Sequence, residues 1–262
     1  MPLRSLVMLA CASVVAGVVN SVAGGGSLIS FPAAVAFGLS PLVANATNTL
    51  ALTPGSIASA FAYRRELQRD SAALRVLIPP AFLGGLAGSI LLLVTPQAVF
   101  DTIVPLLVLF ATALLVRQNL KPRAAPSSTG GAASPAGTWV LPRNTGVAVV
   151  LQFFVGVYGG YFGAGMGIMM LAILDRLGGV DIHGMNGVKN VLAAAINAIA
   201  AVAFMIAHKV DYPSALIMTV GAVLGGLAGA SAARRIKPVY VRWGVVAIGI
   251  GLTLVLAWRR WG

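Results

Sequence analysis

The chain has 262 residues, of which 58% are hydrophobic and 9% are charged. Soluble domains are usually about 45–50% apolar and about 25% charged, so this composition excludes an ordinary soluble protein and indicates an integral membrane protein. The formal net charge of +12 would favour nucleic-acid binding in a soluble protein. Here the basic residues collect in short loops, the pattern that orients a membrane protein with Lys and Arg inside the cell. We therefore expect the lipid bilayer, and no nucleic acid, as a partner.

Apolar runs recur along the whole chain, and several reach the ~20 residues that cross a hydrocarbon core. They cover approximately residues 3–22, 28–39, 42–62, 74–94, 102–116, 147–161, 167–174, 191–207, 215–233 and 244–258. These runs predict an all-α polytopic fold with about eight to ten membrane segments. The basic and then apolar start also fits a signal peptide, but its removal would leave the first run too short to span, so we expect an uncleaved helix.

The first two runs are separated by the stretch NSVAGGGSLISFP at residues 20–32. A helix is interrupted within a membrane only where it is packed in protein or lines a wet cavity. Gly24, Gly25 and Gly26 permit such an interruption, and a helix restarting at Ser27 would present the positive end of its dipole to an anion. The alternative is that these glycines only let helices pack closely. The neighbouring Asn20 favours a site, because amides are costly in lipid unless they are paired.

The chain is predicted to contain a duplication. The motif LGGLAG at residues 83–88 returns unchanged at residues 224–229, and in the same register Asn45 meets Asn186. A Pro, Gly, Ser and Ala-rich linker separates a first repeat, residues 1–120, from a second, residues 144–262, and occupies residues 121–143. For LGGLAG itself, which has no polar neighbours, we expect a packing role.

The relative orientation of the halves depends on how many segments cross. Five crossings in each half would make the repeats inverted, whereas four would make them parallel. Inversion places the basic residues near 234–242 on the same side as the other basic loops. The positive-inside pattern therefore favours inverted repeats.

The second half repeats the glycine break and the polar residues that follow it. GGYFGAGMG at residues 159–167 corresponds to the first break, and paired interruptions are the best sequence pointer to a transport site. Downstream, NATNT in the first half corresponds to NGVKN in the second, and each places its polar residues on one helix face. The predicted binding residues are Asn20, Gly24, Gly25, Gly26, Ser27, Asn45, Asn48, Thr49, Gly163, Gly165, Asn186, Lys189 and Asn190.

Lys189 is the charged residue that the pattern places deepest in an apolar stretch, and no Asp or Glu lies within four positions of it. A cation inside a membrane is a candidate functional residue by default. The alternative is that it snorkels to an interface. If it lies in the cavity, we expect an anionic substrate to be its partner.

Other chemistries have little support in the sequence. A single cysteine, Cys11, excludes an intrachain disulfide framework. The two histidines stand far apart and the six acids lie at segment ends or loops, so we expect no metal site, no catalytic residues and no cofactor. An enzyme is therefore not predicted.

The order of these motifs resembles the TauE/SafE family of membrane permeases. The resemblance rests on an Asn before AGGGS, then FP, GLSP and NATNT, followed by YGGYFGAGMG and NGVKN in the second half. It implies that both breaks and the polar residues beside them form an anion pathway. It also implies a substrate among sulfite, sulfonates such as sulfoacetate, and related organic anions, moved across the bacterial inner membrane.

The sequence thus predicts a secondary transporter that moves a small anion by alternating access between its two halves. A passive anion channel is the alternative, because the absence of buried acids also suits a protein without proton coupling. A homo-oligomer is possible on either interpretation.

Overall fold

The computed structural model describes residues 3–22, 24–67, 71–120, 145–177, 182–232, 243–251 and 253–254. Within these ranges the chain is helical with short turns, and no strand occurs in them. The predicted linker, residues 121–143, lies outside the described residues, as do the basic residues at 234–242.

Ten helices are bounded as follows within the described residues. They are α1 (Leu3–Val22), α2 (Ser27–Ala36), α3 (Pro41–Ala62), α4 (Arg64–Leu67), α5 (Ser71–Val94), α6 (Gln97–Leu120), α7 (Thr145–Tyr161), α8 (Met166–Arg176), α9 (Ile182–Ile206) and α10 (Tyr212–Ala232). Residues 243–251 are also helical.

The helices confirm the predicted all-α polytopic membrane protein. Four of them have segments long and apolar enough to cross a membrane, by length and composition: Ala72–Val94, Gln97–Leu120, Ile182–Ile206 and Tyr212–Ser231. Shorter apolar helices lie between them, at Leu6–Val22, Ser27–Ala36, Thr145–Tyr161 and Met166–Asp175. Helix α3 has 22 residues but is more polar than these, and its Asn, Thr and Ser residues are all buried. Polar side chains are tolerated in a membrane helix when it faces protein, so α3 belongs to the interior of the bundle.

The two copies of LGGLAG bring helices of opposite halves into contact. Gly84 and Gly88 of α5 lie against the backbone of α7, and Gly225 and Gly229 of α10 lie against the backbone of α1. A Cβ atom at Gly229 would lie 2.8 Å from the Cα of Val18, so these positions leave no room for a side chain. The packing role predicted for this motif is confirmed.

Residue contacts define the direction in which these helices run. Successive contacts of α5 with α7 join Gly84 to Phe153 and Gly88 to Val157, so the two helices point the same way. Helices α1 and α10 also run in the same direction, because Gly221 lies at Ala10 and Gly225 lies at Val14.

The central pair, α3 and α9, runs in opposite directions. The ring of Tyr63, at the end of α3, stacks on His183 at the start of α9 with centroids 6.2 Å apart. At the other end, the amide of Asp211, beyond α9, donates a hydrogen bond of 2.9 Å to Thr47 Oγ1. Helices α3 and α9 are therefore antiparallel in the middle of the bundle.

The apolar core holds the region between α1 and α2 close to the region between α7 and α8. Phe31 of α2 packs edge to face on Phe162, which follows α7, with ring centroids 5.3 Å apart. Phe100 of α6 also packs on Phe162, with ring centroids 6.4 Å apart. Each aromatic pair of this kind adds about 0.5–1.5 kcal/mol beyond the area that it buries.

Candidate functional site

The first glycine break separates α1 from α2, and α2 begins at Ser27 as the sequence predicts. Gly24 has φ +79°, a left-handed conformation that favours glycine. Gly26 then packs directly on α1, where an added Cβ would overlap the carbonyl oxygen of Ala16 and lie 2.9 Å from Asn20 Cβ. The chain therefore folds back on itself at this break, and α2 returns along α1.

The second break separates α7 from α8, and α8 begins at Met166 as the sequence predicts. Gly163 and Gly165 are both left-handed, with φ of +76° and +77°. The hydroxyl of Tyr158 donates a hydrogen bond of 2.6 Å to the carbonyl of Ala164. That bond fixes the shape of the loop between the two helices.

The two breaks touch each other. A Cβ atom placed on Gly24 would lie 2.7 Å from Gly167 Cα, and one placed on Gly167 would lie equally close to Gly24 Cα. Bare backbone therefore meets bare backbone at this crossing. Two interruptions that lie far apart in the sequence form one continuous region.

Lys189 of α9 reaches this region from the second half. Its side chain is 1% exposed, which excludes the alternative that it snorkels to an interface in this conformation. Nζ donates to the carbonyl of Asn20 at 2.8 Å, to the carbonyl of Ser21 at 3.1 Å, and to Asn186 Oδ1 at 3.1 Å. The two carbonyls belong to the last turn of α1, the negative end of its dipole. In this conformation backbone carbonyls and an amide oxygen hold the ammonium, and the expected anionic partner stays a prediction.

The corresponding face of α3 bonds to the other break. Asn45 Nδ2 donates a hydrogen bond of 3.0 Å to the carbonyl of Tyr161, the last residue of α7. Lys189 of the second half thus bonds to the end of α1, while Asn45 of the first half bonds to the end of α7. A polar side chain of each half therefore bonds to backbone carbonyls at the helix end that precedes the break of the other half.

Of the remaining predicted polar residues near the breaks, Asn48 and Thr49 are buried and Asn20 is partly buried. Asn48 is 2% exposed, and its Oδ1 accepts a hydrogen bond of 2.5 Å from the hydroxyl of Ser30 on α2. Thr49 bonds to the backbone of its own helix, through the carbonyl of Asn45 at 2.9 Å. Asn20 Nδ2 donates to Ser56 Oγ at 3.3 Å.

Gly25 and Ser27 lie less centrally than predicted. A Cβ on Gly25 would meet the side chains of Leu115 and Val245 at 3.4 Å and 3.8 Å, so this glycine faces apolar side chains. Ser27 is only partly buried at the start of α2.

Asn190 is a buried amide whose hydrogen-bonding capacity is unused. The residue is fully buried, and neither Nδ2 nor Oδ1 has a hydrogen-bond partner in the structure. Asn45 Oδ1 and Ser21 Oγ are also buried without a partner. A buried polar group without a partner costs about 1–3 kcal/mol, so such groups usually bind water or a ligand.

The start of each broken helix adds positive potential to the region. The N-caps of α2 and α8 are Gly26 and Gly165, which have no side chain to cap the first amide groups. Backbone carbonyls within the breaks accept hydrogen bonds from several of these amides, among them Ile29 N–H to Gly26 and Ile168 N–H to Gly165. The positive end of each helix dipole lies at its break, where it favours a nearby anion. Within the described residues, no group of three or more His, Cys, Asp or Glu side chains could hold a metal ion.

Sequence reasoning missed four residues of this region. Ser30, Ser56 and Gly167 bond to or contact predicted residues, and the Tyr158 hydroxyl bonds to the carbonyl of Ala164, between the predicted Gly163 and Gly165. Ser30 stands four positions after the last of the three glycines and could have been included as a polar residue next to a break. Nothing in the local sequence of Tyr158 or Ser56 indicates the partner that each one meets.

Comparisons with known proteins identify the family of the chain. The model of the family described as sulfite exporter TauE/SafE matches residues 9–256. A "Probable membrane transporter protein" of Haemophilus influenzae is 25% identical over 97% of this chain and 95% of its own length. The "Probable membrane transporter protein YfcA" of Escherichia coli strain K12 is 28% identical over 83% of this chain and 76% of its own.

A third relative, the "Probable membrane transporter protein ORF9" of a Sinorhizobium species, is 28% identical over 95% of this chain and 92% of its own length. No solved structure matches the chain. Because the family model covers nearly all of the sequence and the helices form a multi-pass bundle, this chain belongs to the sulfite exporter TauE/SafE family and is a membrane transporter.

Proposed function

We propose that the protein is a secondary transporter that carries a small anion across the bacterial inner membrane by alternating access. The substrate class is sulfite, a sulfonate or a related sulfur-containing or organic anion. The observation that carries the proposal is the burial of the Lys189 ammonium where the two helix breaks meet. A buried cation in a membrane protein marks a substrate or ion pathway by default.

The same region offers the other groups that a desolvated anion needs. The uncapped starts of α2 and α8 supply positive potential. The unused amide of Asn190 supplies hydrogen-bond donors inside the bundle. An oxyanion could take over part of the hydrogen bonding that the α1 carbonyls now provide to Lys189.

The contact between the breaks supports a carrier over a passive channel. Gly24 and Gly167 leave no space between their backbones, and Lys189 is almost completely buried. An anion can cross here only if these segments separate. A protein that must rearrange for each passage is expected to show saturable flux.

Inverted repeats would explain how the two halves rearrange. We propose this arrangement because α3 and α9 run antiparallel, and because the contacts of α1 with α10 repeat those of α7 with α5. In transporters with inverted repeats, two halves of similar structure exchange conformations and so open the site to either side.

The orientation proposal predicts on which side of the membrane two exposed connections lie. Arg65 lies in α4, the short helix after α3, and Lys209 lies in the turn region after α9, so the two connections should face opposite sides of the membrane. We expect Arg65→Cys to react with a membrane-impermeant maleimide from the cytoplasmic side and Lys209→Cys from the outer side. Both variants are made in a Cys11→Ser background, because Cys11 is exposed. Labelling of both positions from one side would contradict inversion.

Saturable uptake tests the transport proposal. Purified protein in liposomes should take up radiolabelled sulfite at an initial rate that reaches a maximum as the sulfite concentration rises. Unlabelled sulfonates or thiosulfate should lower that rate by competition. A rate that stays linear in concentration and carries current across a planar bilayer would favour the channel instead. If no sulfur-containing anion or small carboxylate enters, the substrate class is wrong.

A further inference from the structure

The two helix breaks share one backbone geometry. Gly24 and Gly163 stand at the same point of their breaks, with φ of +79° and +76°. The amide of Gly24 bonds to the carbonyl of Val19 at 3.1 Å, and the amide of Gly163 bonds to the carbonyl of Tyr158 at the same distance. In both pairs the residue numbers of the related positions differ by 139. The ends of α1 and α7 are therefore equivalent, and a group at one end has a counterpart at the other.

At the end of α1, three oxygens accept hydrogen bonds from the Lys189 ammonium. They are the carbonyls of Asn20 and Ser21 and the side-chain oxygen of Asn186, at 2.8, 3.1 and 3.1 Å from Nζ. The two carbonyls lie at the negative end of the α1 dipole, and the amide oxygen comes from α9. All three are neutral acceptors, and together they hold a single positive charge.

The end of α7 has the same three kinds of oxygen. The two carbonyls that correspond to the acceptors on α1 belong to Gly159 and Gly160, in the last turn of α7, where carbonyls have no donor within the helix. Asn45 of α3 corresponds to Asn186 of α9 when NATNT is aligned with NGVKN. Asn45 Nδ2 donates to the carbonyl of Tyr161 at 3.0 Å, and this bond holds the side chain at the end of α7.

The side-chain oxygen of Asn45 is a buried acceptor without a hydrogen-bond partner. The residue is 1% exposed, and its Oδ1 accepts no hydrogen bond in the structure. Its counterpart, Asn186 Oδ1, accepts from Lys189. In the same alignment the position of Lys189 is occupied by Asn48, which has no ammonium. Buried acceptors are usually satisfied, so this oxygen marks a place where a ligand binds.

We infer that the end of α7 binds a monovalent alkali cation, Na⁺ or K⁺, in the place that the Lys189 ammonium takes at the end of α1. Its protein ligands are the carbonyls of Gly159 and Gly160 and the side-chain oxygen of Asn45. Transporters with broken helices bind coupling ions in this way, through backbone carbonyls and the C-terminal ends of half-helices. Divalent ions take carboxylate ligands, and no Asp or Glu is among the buried side chains that the structure describes.

The position of this cation gives it a role in anion transport. Because Gly24 and Gly167 bring the two breaks into contact, a cation at the end of α7 lies next to the region where the substrate is proposed to bind. Its charge would add to that of Lys189 and would favour entry of the anion. Cation and anion would then cross together. This coupling rests on the proposed function, whereas the binding of the cation does not.

Thermal unfolding of the purified protein tests the binding without a transport assay. NaCl, KCl and N-methyl-D-glucamine chloride are compared at one concentration, so that the ionic strength and the anion stay constant. We expect Na⁺ or K⁺ to raise the unfolding temperature by at least about 4 °C over the bulky organic cation, with a saturable dependence on concentration. Equal unfolding temperatures in the three salts would overturn the inference, whether or not the protein carries anions.

The two related asparagines supply a matched pair of variants. Asn45→Ala removes the side-chain oxygen at the end of α7 and should abolish the increase in unfolding temperature. Asn186→Ala removes the related oxygen at the end of α1 and should retain that increase. A folded Asn45→Ala protein that alkali cations stabilise as strongly as the wild type would contradict the assigned site.

A second pair of variants replaces the bound cation by a tethered one. Asn48→Lys places an ammonium at the position equivalent to Lys189, so the unfolding temperature should no longer depend on Na⁺ or K⁺. Asn48→Gln lengthens the side chain without charge and should keep the dependence. An undiminished dependence in a folded Asn48→Lys protein would count against the inference. If neither Asn48→Lys nor Asn45→Ala folds, the comparison of salts on the wild type decides.

Uptake by proteoliposomes tests the coupling separately. An inward gradient of the stabilising cation should raise the initial rate of radiolabelled sulfite uptake at least about tenfold over N-methyl-D-glucamine. Saturable uptake at the same rate in both salts would refute the coupling and leave the proposed function intact. Stabilisation by the cation in a protein that takes up no anion would refute the proposed function and leave the cation site standing.

Discussion

Replacement of Lys189 by Met is expected to lower anion transport roughly 100-fold, while the protein remains folded in the membrane. Met keeps most of the length and volume of the side chain but removes the ammonium, so the substrate would enter the bundle without a counter-charge. The carbonyls of Asn20 and Ser21 would lose a donor at the same time. Relief from burying a charge offsets part of that loss, so we expect only a modest change in stability. Initial uptake rates and the size-exclusion profile in detergent measure the two effects separately.

Lys209→Met is the matched control for this change. Lys209 is an exposed lysine in the turn after α9, and its replacement also removes one positive charge from the chain. It should transport at the wild-type rate. Similar losses in both variants would indicate a general effect of charge on orientation or expression. An unchanged rate in Lys189→Met would remove this lysine from the anion pathway.

Gly24→Ala is expected to reduce transport at least about tenfold, the second large effect. Gly24 has φ +79°, a left-handed conformation that costs a residue with a side chain about 1–2 kcal/mol of conformational free energy. The methyl group of the alanine would also lie 2.7 Å from Gly167 Cα, which is too close for a normal contact. The two breaks would have to separate permanently to accommodate the methyl group. Uptake rates and the unfolding temperature of the purified variant are measured together. We expect a large loss of transport in a protein that still unfolds near the wild-type temperature.

Gly25→Ala is the adjacent control. Its added methyl group would lie 3.4 Å from Leu115 Cδ1, an ordinary contact with a flexible side chain. We expect nearly normal transport from this variant. If the two substitutions behave alike, the contact between the breaks is not what limits transport. The glycine triplet in the sequence did not distinguish these two positions, because their surroundings come from other helices.

The main features of the fold were predictable because they recur within the chain. The repeated LGGLAG motif indicated close helix packing, and the paired glycine stretches indicated two interruptions, whose helices restart at Ser27 and Met166. Both signals depend on local composition, since a run of glycines or small residues has the same physical consequence wherever it folds.

The partners across the site were not predictable in the same way. Lys189 bonds to carbonyls 169 and 168 residues away, and Asn45 bonds to one 116 residues away. These acceptors are backbone atoms, which every residue possesses, so no side-chain pattern marks them. Helical periodicity places Lys189 on a face but says nothing about which helix end that face meets. The crosswise bonding of the two breaks therefore emerged only from the structure.

Counterflow is the measurement that tests anion carriage at the paired breaks most directly. Proteoliposomes loaded with unlabelled sulfite are diluted into trace radiolabelled sulfite, and the label inside is followed over time. We predict a transient accumulation above equilibrium for the wild type that Lys189→Met loses. Label that only rises to equilibrium in the wild type, with no overshoot for sulfite or any related anion, would contradict an alternating-access carrier.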